Sequence, residues 1–131
     1  MLIHYHARSL IFFAVALGGA LGAVGRYGIS LIPLKTVFPY LTLVTNVIGA
    51  IVIGVIVGIV SNKGDVSPNT VLFWKTGVCG GFTTFSTFSL ESLNLFENKM
   101  YFEGGLYIAL SIICCLVGVA IGKNLAAWFC L

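Results

Sequence analysis

Apolar residues run along this chain in four long stretches, separated by short polar or proline-bearing gaps. The first extends from about Ser9 to Ile32, the second from about Leu41 to Val60, the third from about Thr70 to Phe96 and the fourth from about Gly104 to Phe129. Each reaches the length of about 20 residues that an α-helix needs to cross a bilayer core. The gap from Pro33 to Tyr40 holds two prolines and Lys35, and the gap from Ser61 to Asn69 holds Asp65 and Pro68. The pattern predicts an all-α integral membrane protein, one transmembrane domain of four helices over residues 1–131. Open sheets are excluded, because lipid offers no hydrogen-bond partner to their edge amides.

The third stretch departs from the pattern. It reads Gly77-Val78-Cys79-Gly80-Gly81-Phe82-Thr83-Thr84-Phe85-Ser86-Thr87-Phe88-Ser89-Leu90-Glu91, with glycines and then hydroxyl residues where the middle of a span belongs. Each glycine lowers helix preference by about 1 kcal/mol relative to alanine. The helix is therefore expected to break near Gly80 to Thr84. Carbonyls freed at membrane depth persist only where protein buries them or an ion occupies them. Such backbone suits a desolvated cation held by carbonyl oxygens, or an anion held by N–H and hydroxyl donors.

Other polar groups stand in the apolar stretches, and lipid selects against them. Thr42 and Asn46 lie four apart on one face of the second helix. Tyr107, Ser111 and Cys115 form a stripe on the fourth. They serve either as interhelical glue or as donors to an anion. Phe85 and Phe88 share a face once the helix resumes. They are ordinary packing or, since an aromatic ring has a positive edge, anion-facing rings. Small residues at Gly18 and Gly22, at Ala50, Gly54 and Gly58, and at Gly118 and Gly122 have the spacing that lets helix backbones approach.

Composition agrees with a lipid solvent: 59% of residues are hydrophobic and 8% charged, against about 25% charged in soluble domains. The net charge of +3 is scattered and forms no patch for nucleic acid. The N-terminal His4, His6 and Arg8 followed by apolar residues could introduce a cleaved signal. A retained first span is the expectation, because the apolar, small-residue pattern continues through Gly22 to Gly25 with no polar domain behind it. Arg8, Lys63, Lys75 and Lys123 then fall on one side and Arg26, Lys35 and Lys99 on the other. So small an excess barely fixes orientation. Cys79, Cys114, Cys115 and Cys130 form no CxxC pair and read as small buried hydrophobes. No nucleophile–base constellation exists, so an enzyme is not expected.

The run Gly80-Gly81-Phe82-Thr83-Thr84-Phe85-Ser86-Thr87-Phe88-Ser89 with Glu91 resembles the CrcB/Fluc family of fluoride channels. Gly18-Gly19 through Gly25-Arg26-Tyr27 and Thr42-Leu43-Val44-Thr45-Asn46 with Gly49 support the resemblance, which covers essentially the whole chain. It implies an antiparallel, dual-topology homodimer in the inner membrane of a bacterium, carrying two fluoride pathways lined by both subunits. It implies passive export of fluoride that protects the cell from its toxicity. Phe85 and Phe88 would be the pore aromatics and Asn46 the pore amide. Tyr107 and Ser111 would belong to the polar track of the fourth helix, with Thr42, Ser86 and Thr87 as further hydroxyls on the path. The carbonyls of Gly80 and Thr83 would hold a central structural Na+. Arg26 would be a vestibule or loop-anchoring group, and Glu91 matches a family glutamate. Two positions depart from the family pattern: Leu41 stands where many members have glycine, and Cys115 where a serine is common.

Two other readings compete. A dual-topology, proton-coupled exporter fits the length and charge balance but needs an intramembrane carboxylate. Of Asp65, Glu91, Glu97 and Glu103, three are in or near expected loops and Glu91 is near the end of a span. A non-transporting membrane scaffold would explain the small-residue ladders but not the hydroxyl-rich break.

Overall fold

The structure, a computed structural model, describes residues 2–129, with side chains from Ser9 onward. The side chains of His4, His6 and Arg8, and the whole of Cys130, lie outside the described residues. Helix α1 spans Leu2–Ser30 and α2 spans Tyr40–Lys63. The third stretch opens with α3 (Pro68–Val71), where Pro68 takes a first-turn position that needs no N–H. It continues as a π-helical segment, Leu72–Cys79, and a short α4, Gly80–Phe82. After an extended dipeptide it resumes as α5, Phe85–Glu97, and α6 closes the fold over Tyr101–Phe129.

Boundaries follow local chemistry. Helix α2 runs past the apolar stretch to Lys63, where Gly64 turns left-handed at φ 67°. Its amide bonds the Val60 carbonyl at 3.2 Å, a helix stop for which glycine carries no Cβ penalty. Helix α6 begins at Tyr101, ahead of the expected Gly104, because the turn after α5 is tight: the Met100 amide reaches the Leu95 carbonyl at 2.9 Å.

Among the described residues three helices are long and apolar enough to cross a membrane: Ser9–Ser30 within α1, Tyr40–Lys63 and Tyr101–Phe129. The fourth element is the bent one, two helical arms meeting at Thr83 and Thr84.

The small-residue ladders hold the arms and helices together as two close pairs. In the first pair α1 lies on the π segment and α4. A Cβ on Gly18 would stand 2.5 Å from the Phe73 carbonyl oxygen, and one on Gly22 would stand 2.7 Å from the Phe82 amide nitrogen. In the second, α2 lies on α6, with Ala50, Gly54 and Gly58 buried against Gly118, Gly122 and Ala126. Backbones this close gain dispersion contacts in place of the hydrophobic drive that lipid removes. Large side chains such as Phe12, Phe13, Leu116 and Trp128 point outward, as a lipid solvent permits. The buried aromatic and aliphatic core is correspondingly small, Phe88, Leu95 and Tyr107.

Candidate functional site

The site begins at the break. Thr83 and Thr84 are extended, with ψ of 156° and 111°, so the chain leaves the helical ladder after the Thr83 amide. Asn46 of α2 takes up both groups of Thr84. The Thr84 amide donates to Asn46 Oδ1 at 2.9 Å, and Asn46 Nδ2 donates to the Thr84 carbonyl at 3.3 Å. This reciprocal pair mimics a backbone pairing and ties the break to α2. Gly49, one turn further along α2, leaves room for Thr83: a Cβ there would collide with the Thr83 methyl.

Local hydroxyls finish both helix ends. The Thr83 hydroxyl and amide donate to the Cys79 carbonyl at 2.8 and 3.0 Å. Thr84 caps α5, its Oγ1 accepting from the Thr87 amide at 3.2 Å and donating to the Thr87 hydroxyl at 2.9 Å. The Ser86 hydroxyl lies 3.3 Å from the same oxygen. Arg26 of α1 donates from Nε to the Gly81 carbonyl at 3.3 Å. Among the described residues no amide or side chain donates to the carbonyls of Gly80 and Thr83.

A second polar knot sits beside the break. Glu91 of α5 accepts from Thr42 of α2 at 2.8 Å and from Tyr107 of α6 at 2.7 Å, one bond to each carboxylate oxygen. The carboxylate therefore links three helices, at the middle of α5 and not near its end. Tyr107 is fully buried, its ring 5.2 Å from Phe88 and edge-on to Phe38 at 5.5 Å. Thr42 and Tyr107 direct their protons at Glu91. They do not offer them to the open groove described next.

That groove, about 410 Å³, runs between α2, α6 and the two arms. Asn46, Thr83, Phe85, Phe88, Ser111 and Cys115 line it. Phe85 is 79% exposed and its ring centroid lies 5.4 Å from that of Phe88. The Ser111 hydroxyl is buried and has no hydrogen-bond partner among the described residues. A separate, smaller recess of about 200 Å³ is lined by Arg26, Ser30, Thr42, Thr84, Thr87 and Glu91. The sequence-predicted residues therefore divide. Asn46, Phe85, Phe88, Ser111 and the Gly80 and Thr83 backbone gather in the groove, and Arg26, Thr42, Thr87 and Glu91 in the recess. Tyr107 is buried behind Phe88.

Sequence reasoning missed Thr84, which serves both as partner to Asn46 and as the cap of α5. The signal was available: a threonine three residues ahead of a polar residue at a helix start has the spacing of an N-cap. It also missed Phe38, whose place against Tyr107 no local spacing encodes. The residues lining the groove carry hydroxyl, amide, thiol and aromatic groups and one ammonium, with no carboxylate. Three cysteines, Cys79, Cys114 and Cys115, are unpaired thiols.

Residues 13–123 match the family described as CrcB-like protein, Camphor Resistance (CrcB). A Flavobacterium psychrophilum protein named fluoride-specific ion channel FluC is 42% identical over 120 residues, covering 86% of this chain and 97% of the relative. A Ruminiclostridium cellulolyticum protein of the same name is 44% identical over 116 residues, covering 86% and 89%. One from Azobacteroides pseudotrichonymphae is 38% identical over 120 residues, covering 89% and 96%. Matched over most of its length by the family and by these relatives, the chain belongs to the CrcB/FluC family of membrane proteins.

Proposed function

We propose that this chain is a fluoride-specific channel, one transmembrane domain that lets fluoride leave the cell passively down its gradient and so limits its toxicity. The observation that carries the reading on the protein's own chemistry is the buried, unpartnered hydroxyl of Ser111 in a carboxylate-free groove. A buried donor without an acceptor costs about 1–3 kcal/mol. A passing anion would remove that cost each time it arrives.

Fluoride holds its water tightly, and a dry path is closed to it unless donors replace that shell. Ser111 offers one proton. Asn46 keeps a second N–H beside the one given to Thr84. The edges of Phe85 and Phe88 add weak positive potential without a hydrogen bond. Donors of this modest strength let the ion leave again, which conduction requires. Cys115 adds a weak donor at the position where serine is common in the family. The Glu91 knot links α2, α5 and α6, with both carboxylate oxygens taken up by the Thr42 and Tyr107 hydroxyls. A proton-coupled exporter would need that carboxylate free to exchange.

The working unit in this reading is an antiparallel homodimer. Support comes from the groove itself, open along one side with Phe85 and Gly80 exposed. A second copy inserted the other way up would close it, and the nearly even Lys/Arg distribution permits both orientations. The Gly80 and Thr83 carbonyls, free of donors, fit a hard cation such as Na+ that takes oxygen ligands. They would hold it between two copies, where it would supply a fixed positive charge beside the path. Expression of the chain in a bacterium lacking its own fluoride exporter tests the role: growth in millimolar fluoride should be restored. Continued arrest, with the protein present in the membrane, would overturn it.

A further inference from the structure

Lys75 stands inside the third helical element, in the π segment Leu72–Cys79, and not in a loop. It is the one charged side chain among those lining the groove that holds Asn46, Phe85 and Ser111. It is exposed in the protomer, and among the described residues its ammonium has no hydrogen bond or ion pair. Lys75, Cys79 and Thr83 follow one another at helical spacing and all line the groove, so they form a single stripe along it. A helical rise of about 1.5 Å per residue puts Lys75 roughly 12 Å from Thr83 along the axis. The cation and the break thus occupy separate positions along the groove. Ionisable groups within membrane elements are rare and mark pathways for ions more often than packing.

From this placement we propose that Lys75 recruits fluoride at the mouth of the groove and sets the conductance at low fluoride concentration. The proposal rests on the groove being the fluoride path. A flexible ammonium on a long stem gathers anions without gripping them in a fixed geometry. Its field raises the local anion concentration where low-dielectric walls focus it. Farther in, the ion is handed to neutral donors, Asn46 and Ser111, which cannot hold it as tightly. Selectivity against chloride then belongs to the inner donors and rings, and Lys75 governs only arrival. A lysine that merely reaches for lipid headgroups would leave permeation untouched.

The test uses purified full-length protein in liposomes, with fluoride flux measured over a wide range of fluoride concentrations and at two ionic strengths set with an impermeant salt. Lys75→Gln should lower flux at least about threefold at low fluoride and converge on the unaltered protein at saturating fluoride, as loss of one steering charge implies. Lys75→Arg should keep the original curve. Added salt should depress low-fluoride flux in the unaltered protein and leave Lys75→Gln nearly unchanged, because screening acts on the same charge. A Lys75→Gln curve that superimposes on the original would overturn the proposal and leave the channel reading intact. So would an equal loss at every concentration, or a changed assembly mass in both variants, which would assign Lys75 to structure. An unaltered protein that passes no fluoride would overturn both readings.

Discussion

At the scale of single residues, Asn46 has two duties. It pairs with both backbone groups of Thr84 and so fixes the break, and it also lines the groove. Asn46→Asp keeps the acceptor but loses the donor and adds a negative charge. A like charge at about 4 Å costs about 4 kcal/mol at an effective dielectric of 20. Fluoride flux through Asn46→Asp should therefore fall about a thousandfold, measured by electrode in proteoliposomes; flux within a few-fold of the original would remove Asn46 from the path. Ser111 is a cleaner probe, because its hydroxyl makes no bond that folding needs. Ser111→Ala should lower flux about fivefold, the worth of about 1 kcal/mol for one hydrogen bond. It should leave thermal stability unchanged or slightly raised. A loss of stability with normal flux would reassign the hydroxyl to packing.

At the scale of elements, the third stretch was legible as a broken helix because its glycines and hydroxyls are local facts. Two further glycines show why position matters more than propensity. Both Gly22 and Gly28 lie in α1. A Cβ on Gly22 would press on the Phe82 amide nitrogen and the Gly81 carbonyl carbon, 2.7 and 3.1 Å away, whereas nothing lies within 4 Å of one on Gly28. Gly22→Ala should destabilise the fold by about 1–3 kcal/mol through overpacking. Gly28→Ala should be neutral or stabilising by up to about 1 kcal/mol. Melting in detergent followed by fluorescence separates the two, and equal effects would contradict the close α1 to α4 contact. Other features lay beyond local spacing. The stripe of Tyr107 and Ser111 was visible, but not that Tyr107 turns from the groove toward Glu91 sixteen residues earlier. Lys75 was counted with the charges of one membrane side. Hydropathy does not say which face of a helix a lysine occupies, and the π segment that carries it has no sequence mark of its own.

For the whole molecule, the polar groups that lipid rejects are arranged on two faces. One is the recess of Arg26, Thr42 and Glu91, bound up in internal hydrogen bonds. The other is the open groove, where among the described residues Ser111 and the Gly80 and Thr83 carbonyls have no donor or acceptor of their own. In the proposed dimer a second copy covers this face. Purified in mild detergent, the protein should have twice the 14.0 kDa mass of one chain, by light scattering corrected for detergent. A mass of one chain would refute the closed groove. The span pattern and the break could be read from residue order; the division into two faces could not, since it depends on which helices meet.

The central claim is that the groove passes fluoride and little else. Liposomes loaded with equal fluoride and chloride, carrying the purified protein and made permeable to potassium, test it most directly when efflux of each anion is followed by its own electrode. The account predicts rapid release of fluoride with chloride retained. Comparable release of both anions, or retention of both, would contradict it.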